Sequence, residues 1–195
     1  MDMSGDVRIP ASQERVWAAL NDPDTLRRAI PGCEELTKVS DTELEAVARA
    51  KIGPVSARFK GKVTLSDLQP PNGYTLSGEG SGGAAGFAKG QAEVRLRPDG
   101  DGTILRYTVK ATVGGKLAQI GQRLIDGAAK KMADDFFEQF SALAAGPAGG
   151  AESESQLASA APTADSHARA FELPLWVPVA AIVAGLALLA VVLMR

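Results

Sequence analysis

The sequence predicts an α+β fold in which a curved antiparallel sheet is covered on one face by a long C-terminal helix. Three observations carry that prediction. Five segments between residues 43 and 113 alternate apolar and polar side chains with a period of two. Short turns rich in Gly, Pro, Asn and Asp join them, which favours antiparallel neighbours. From Gly114 to Leu143 the period changes to 3.6.

In chain order, Val7 and Ile9 alternate with Asp6 and Arg8 as a short first strand, ended by Pro10. Ser12 caps a helix over 13–20 that turns Val16, Trp17 and Leu20 inward. Asn21-Asp22-Pro23 breaks it, and a second short helix, DTLRRAI, runs to Pro31-Gly32. Strands follow over 43–50, 55–66, 74–80, 92–97 and 105–113, with Gly53-Pro54, Pro70-Pro71-Asn72-Gly73 and Pro98–Gly102 as turns. In the final helix Leu117, Gly121, Leu124, Ile125, Ala128, Met132, Phe136 and Leu143 fall on one stripe, opposite Arg123, Asp126, Lys130 and Asp134. If continuous, that helix is roughly 45 Å long.

The inward positions of the strands are unusually small: Ala46, Ala48, Ala50, Ala57, Gly61, Gly78, Gly80, Ala92 and Ala111. The first half of the helix is small as well, at Gly121, Ala128 and Ala129. Interiors pack to a density of about 0.75, so either the helix approaches the sheet closely or an apolar cavity remains. The favoured expectation is a cavity lined by Trp17, Phe59, Val63, Leu117, Ile120, Gly121, Leu124 and Ala128, with Leu26, Ile30 and Phe87 at its mouth.

Polarity divides the chain into three parts. Residues 1–143 are expected to fold as one domain; their Lys and Arg balance their Asp and Glu, so no basic stripe offers itself to nucleic acid. Residues 144–172 are dominated by Ala, Gly, Ser and Pro and are expected to be a disordered linker. Residues 173–194 carry no charge, and 22 such residues match the roughly 20 needed to cross a bilayer. Leu175, Trp176, Ile182, Leu186, Leu189 and Leu193 belong to this expected transmembrane anchor, with Trp176 at the interface. The first ten residues lack a signal peptide's basic and apolar regions, which places the domain on the cytoplasmic face of the membrane.

Catalytic patterns are weak. Cys33 is the lone cysteine, the lone histidine, His167, sits in the linker, and the acid pairs Glu34-Glu35, Asp99/Asp101 and Asp134-Asp135 read as solvated. The stretch GEGSGGAAGFAKG (78–90) lacks the phosphate-loop lysine pattern and leads into a strand. It reads as a flexible turn or as a mobile lip, with Phe87 as a gate or as a contact to lipid or a partner. Strand register turns Phe87 outward unless a bulge intervenes. Gly114-Gly115 reads as a tight turn, or as free N–H groups for a ligand oxygen.

The segments IPGCEEL (30–36), KIGPVSARFKGKVTLSDLQPP (51–71), LSGEGSGGAAGFAKG (76–90) and VGGKLAQIGQRLIDGAAKKMADDFF (113–137) resemble the CoxG family, the G-subunit family of carbon monoxide dehydrogenase. The resemblance covers residues 2–143 and implies the START-like (SRPBCC) helix-grip fold. It implies an accessory protein, not an enzyme, that serves a cytoplasmic molybdenum hydroxylase of the carbon monoxide dehydrogenase type. The expected ligand is an isoprenoid quinone such as menaquinone or ubiquinone, and the expected partners are that enzyme and the membrane. Two alternatives stand beside quinone carriage: membrane recruitment of the enzyme without a ligand, and a START-like hydrolase or cyclase.

Overall fold

The computed structural model describes residues 1–146. Seven strands form one antiparallel sheet: β1 (Asp2–Ile9), β2 (Cys33–Lys38), β3 (Glu43–Ile52), β4 (Val55–Gln69), β5 (Gly73–Ser81), β6 (Phe87–Asp99) and β7 (Gly102–Gly114). Their spatial order is β1-β7-β6-β5-β4-β3-β2, so consecutive strands pair from β2 to β7 and only β1 joins from the far end of the sequence. Two helices, α1 (Gln13–Leu20) and α2 (Pro23–Ala29), connect the two edge strands. The described residues end with α3 (Lys116–Gln119) and α4 (Gln122–Ala145). This is a curved antiparallel sheet closed by a C-terminal helix, the helix-grip arrangement.

Local chemistry sets the connecting helices. Ser12 Oγ accepts from the Arg15 N–H at 3.4 Å, and Asp22 accepts from the Thr25 N–H at 3.0 Å with Pro23 in the first turn of α2. Trp17, Leu20 and Leu26 then bury against α4 and the sheet, with Tyr74 tilted on Trp17 at 5.7 Å.

The structure corrects two sequence expectations. The first concerns β2, which alternation did not reveal. A bulge between Cys33 and Glu35 opposes two β2 residues to one of β3, so Glu34 and Glu35 are both exposed and the period of two is lost. Both carboxylates grip Arg58 on β4, which holds the Glu34 carboxyl below its ordinary range.

The second concerns the long helix. It is interrupted: α3 stops after Gln119, and Gly121 takes φ +95°, a conformation that L side chains rarely adopt. The break resets the helical phase. The buried face of α4 is Ile125, Ala129, Ala133, Phe136, Phe137, Phe140 and Ala144, about one residue around from the stripe counted through Gly121. Leu124, expected to face the sheet, is 56% exposed, and Ala128 and Met132 are only partly buried.

The domain has two distinct poles. At one, Gln13 Nε2 donates to the Pro71 and Leu96 carbonyls at 3.2 and 3.3 Å, Thr103 Oγ1 donates to Ala11 O at 2.8 Å, and Arg15 donates to Ala145 O at 3.0 Å. These bonds tie the β4–β5 and β6–β7 turns, the start of α1 and the end of α4 together. The other pole gathers the β3–β4 turn, a 3-10 turn at Gly83–Ala85, α3 and the first turn of α4. With 24 residues, α4 separates the poles by about 36 Å.

Candidate functional site

The second pole is built from backbone packed on backbone. A Cβ on Gly86 would collide with the Gly114 carbonyl, and one on Gly115 would lie 2.5 Å from Gly86 Cα. A Cβ on Gly82 would strike the ring of Phe59, and one on Gly114 would strike the ring of Phe87. The Gly82 N–H donates to Gly86 O at 3.0 Å. Gly86 and the Gly114-Gly115 pair therefore let the β5–β6 and β7–α3 turns touch. With α3 only four residues long, Gly114-Gly115 serves as a turn into a single short coil of helix.

The sequence-selected residues divide into three groups here. Leu26 and Leu117 have no accessible surface, Phe59 and Val63 have 1%, and Ile30 and Trp17 are also buried. A water-sized sphere does not reach the first two, so the space between sheet and helix is closed at these side chains. Small residues are buried in both layers: Ala46, Ala48, Ala88 and Ala92 on the sheet, and Ala129 and Ala133 on α4. Ile120 and Ala128 are partly buried, together with Ala111, Val113 and Met132, all packed against the edge of the core. Phe87, Gly121 and Leu124 face solvent. Phe87 follows the outward register, paired with Ser81 and Gly114 while its neighbour Ala88 is buried.

The sequence reading missed two features. The uncovered face of the sheet carries a trough of about 940 Å³ lined by the outward residues Glu45, Val47, Lys60, Lys62, Glu79, Phe87 and Lys89. A second concavity of about 630 Å³ shares Lys62, Glu79 and Lys89 and runs on to Lys110. These positions are alternate residues of five neighbouring strands, a signal readable once the strand order is known. The other is a buried hydroxyl: Tyr74 Oη is inaccessible and has no hydrogen-bond partner.

Burial drives the Tyr74 hydroxyl well above the ordinary tyrosine value of 10.0. A raised phenol keeps its proton in the folded state while the unfolded chain releases it. Its contribution is therefore complete below about pH 10 and is lost as pH rises above that. Tyr107, buried and stacked on Phe137 at 5.1 Å, shifts in the same direction through its desolvation. Tyr74→Phe is expected to leave neutral-pH stability unchanged or raise it by about 1 kcal/mol, because it removes an unpaired buried polar group. The variant should also lose less stability than the parent between pH 9 and 11 in chemical denaturation.

Among the described residues, no group of three or more His, Cys, Asp or Glu is placed to hold a metal ion. Among the same residues, no helix is long and apolar enough to cross a membrane. The expected linker beyond Gly146, with His167, and the expected anchor residues Leu175, Trp176, Ile182, Leu186, Leu189 and Leu193 lie outside the described residues.

The sequence profile of the carbon monoxide dehydrogenase G-subunit (CoxG) family matches residues 5–145. A solved conserved protein from Geobacillus kaustophilus is 33% identical, covers 74% of this chain and 95% of its own, and superposes with a TM-score of 0.70. A Streptomyces aromatase/cyclase shares the fold at 11% identity, with a TM-score of 0.56 over 74% of this chain and 93% of its own. A Thermus thermophilus protein does so at 19% identity and 0.51, over 75% and 99%. No curated protein matches.

Proposed function

Since the chain belongs to the CoxG family of carbon monoxide dehydrogenase G-subunits over residues 5–145, we propose that it is a membrane-tethered accessory protein that carries an isoprenoid quinone to a molybdenum hydroxylase of the carbon monoxide dehydrogenase type. The observation that carries this reading is the use of small buried residues where the sheet meets the covering helices, Ala46, Ala48, Ala88 and Ala92 on the strands and Ala129 and Ala133 on α4, beside a pole held by glycine contacts. Such an interface loses little dispersion energy when it parts, because small side chains make few contacts. An apolar ligand entering there replaces protein contact with ligand contact. The chain's own residues supply apolar walls in Phe59, Val63 and Leu117. The uncharged segment 173–194 serves as the anchor on the cytoplasmic side of the membrane, and residues 147–172 as the leash.

A second reading is recruitment alone, favoured by the open trough around Lys60, Lys62 and Phe87, which is large enough to seat a protein partner. One experiment separates the two. Residues 1–146 are purified, the bound lipid is extracted and identified by mass spectrometry, and the loaded domain is added to the enzyme without membrane. Carriage predicts about one quinone per domain and enzyme-dependent quinone reduction in free solution. A domain that neither contains nor accepts quinone, with activity only when the full chain is on a membrane, leaves recruitment as the function.

A further inference from the structure

We propose that the domain docks onto anionic bilayers with its α3 pole, inverted relative to the end from which the remaining chain departs. The proposal rests on the membrane reading above and names its contact surface.

The charges are the first observation. The pole is assembled from three separate segments, 51–60, 80–90 and 113–125. Together they contain Lys51, Arg58, Lys60, Lys89, Lys116 and Arg123 and no Asp or Glu. Across residues 1–143 acids and bases are balanced, so this is a local concentration and not a property of the domain. Arg58 is held by Glu34 and Glu35, whereas among the described residues Lys51, Lys60, Lys89, Lys116 and Arg123 form no ion pair. The opposite pole is the reverse. Its segments 66–72, 98–101 and 135–145 contain Asp67, Asp99, Asp101, Asp135 and Glu138 and no cation of their own, with Arg8, Arg15, Arg95 and Lys131 reaching in from neighbouring positions. An anionic surface therefore favours the α3 pole over the other and orients the domain before contact.

Apolar exposure is the second observation. Among the described residues the exposed large hydrophobic side chains are Val39, Phe87 and Leu124, at 54, 50 and 56%. Phe87 and Leu124 both belong to the α3 pole, with Ala84 and Ala118 exposed beside them. Exposed apolar tips at the same pole as cations without an ion pair match the chemistry of an interface, where hydrocarbon lies beneath anionic headgroups.

The chain beyond Gly146 supplies the third. It leaves from the acidic pole, about 36 Å from α3 along α4. The 26 residues from 147 to 172 reach at most about 90 Å when extended, so the leash permits the inverted pose.

Vesicle sedimentation of residues 1–146 tests the proposal; the 33% identical Geobacillus protein, 95% of whose solved chain aligns with 74% of this one, supports the use of this part by itself. The probes are phosphatidylcholine vesicles with and without 30% phosphatidylglycerol. Binding is expected on the anionic vesicles and to fall about tenfold or more between 0.1 and 0.5 M salt. Each cation reversed to Glu among Lys51, Lys60, Lys116 and Arg123 should weaken it about fivefold or more. Leu124→Ser should weaken it about tenfold, and Val39→Ser should not change it. All of these sites are exposed, so an unshifted melting temperature confirms that each variant is folded. Equal binding to neutral vesicles, unchanged binding of the charge-reversed variant, or no binding at all would overturn the proposal. Quinone occupancy is read on the same samples in vesicle-free solution. A domain that holds quinone without docking thus refutes the docking surface alone, and one that docks without quinone refutes carriage alone.

Discussion

Gly86→Ala is expected to cost about 3 kcal/mol or more and to lower the melting temperature by roughly 10 °C. Two penalties add. Gly86 has φ +124° and ψ −155°, a region that is essentially reserved for glycine and costs about 1–3 kcal/mol otherwise. Its new Cβ also meets the Gly114 carbonyl, a backbone atom that no rotamer change can move. Overpacking of this kind costs about 1–3 kcal/mol. Gly83→Ala is the matched control. Gly83 also has positive φ, +61°, yet a Cβ there would have nothing within 4 Å, so only about 1 kcal/mol is at stake. Equal losses in the two variants, measured by denaturant titration, would show that contact between the turns contributes nothing.

Phe136→Ala should cost about 3–5 kcal/mol, the usual loss for a large aromatic removed from a close-packed core. Phe136 is fully buried, edge-on to Phe137 at 5.1 Å and stacked on Phe140 at 5.6 Å. Leu124→Ala should lie within about 0.5 kcal/mol of the parent, as surface substitutions do. Both residues sit on one stripe if the helix is counted unbroken from Leu117. The contrast in stability therefore measures the phase of α4 directly. Comparable losses at the two sites would place Leu124 in the core and overturn the assignment of its side of α4 to solvent.

The same pair shows where sequence reasoning holds and where it stops. Alternation located β3 to β7 because each strand buries one face and wets the other, so that burial is written residue by residue. It failed at β2, where the bulge sends Glu34 and Glu35 to one side. Hydrophobic periodicity found the long helix but carried its phase through Gly121, whose positive φ is invisible to a residue count. Of the expected cavity residues, Phe59, Val63, Leu26 and Leu117 do come together in the core, whereas Phe87, Gly121 and Leu124 do not join them. The polar distribution of charge escaped because three short cationic segments, each unremarkable alone, become neighbours only through antiparallel pairing and the contact of Gly86 with Gly115. The outer trough was hidden for the same reason: its lining is spread over five strands.

The glycine contacts between the β5–β6 and β7–α3 turns also have a mechanical meaning. Gly86 rests against Gly114 and Gly115, and α3 packs on the 3-10 turn at Gly83–Ala85, so neither turn can swing away without dragging the other. They behave as one latch, and Gly121 at the junction of α3 with α4 is its pivot. A latch of this kind opens with a single rate constant. Amides of residues 82–88 and 114–120 should therefore report one common exchange process in NMR relaxation dispersion, with amides in the second half of α4 silent. Gly121→Ala strains the closed form at φ +95° and should therefore raise the open population and speed that process.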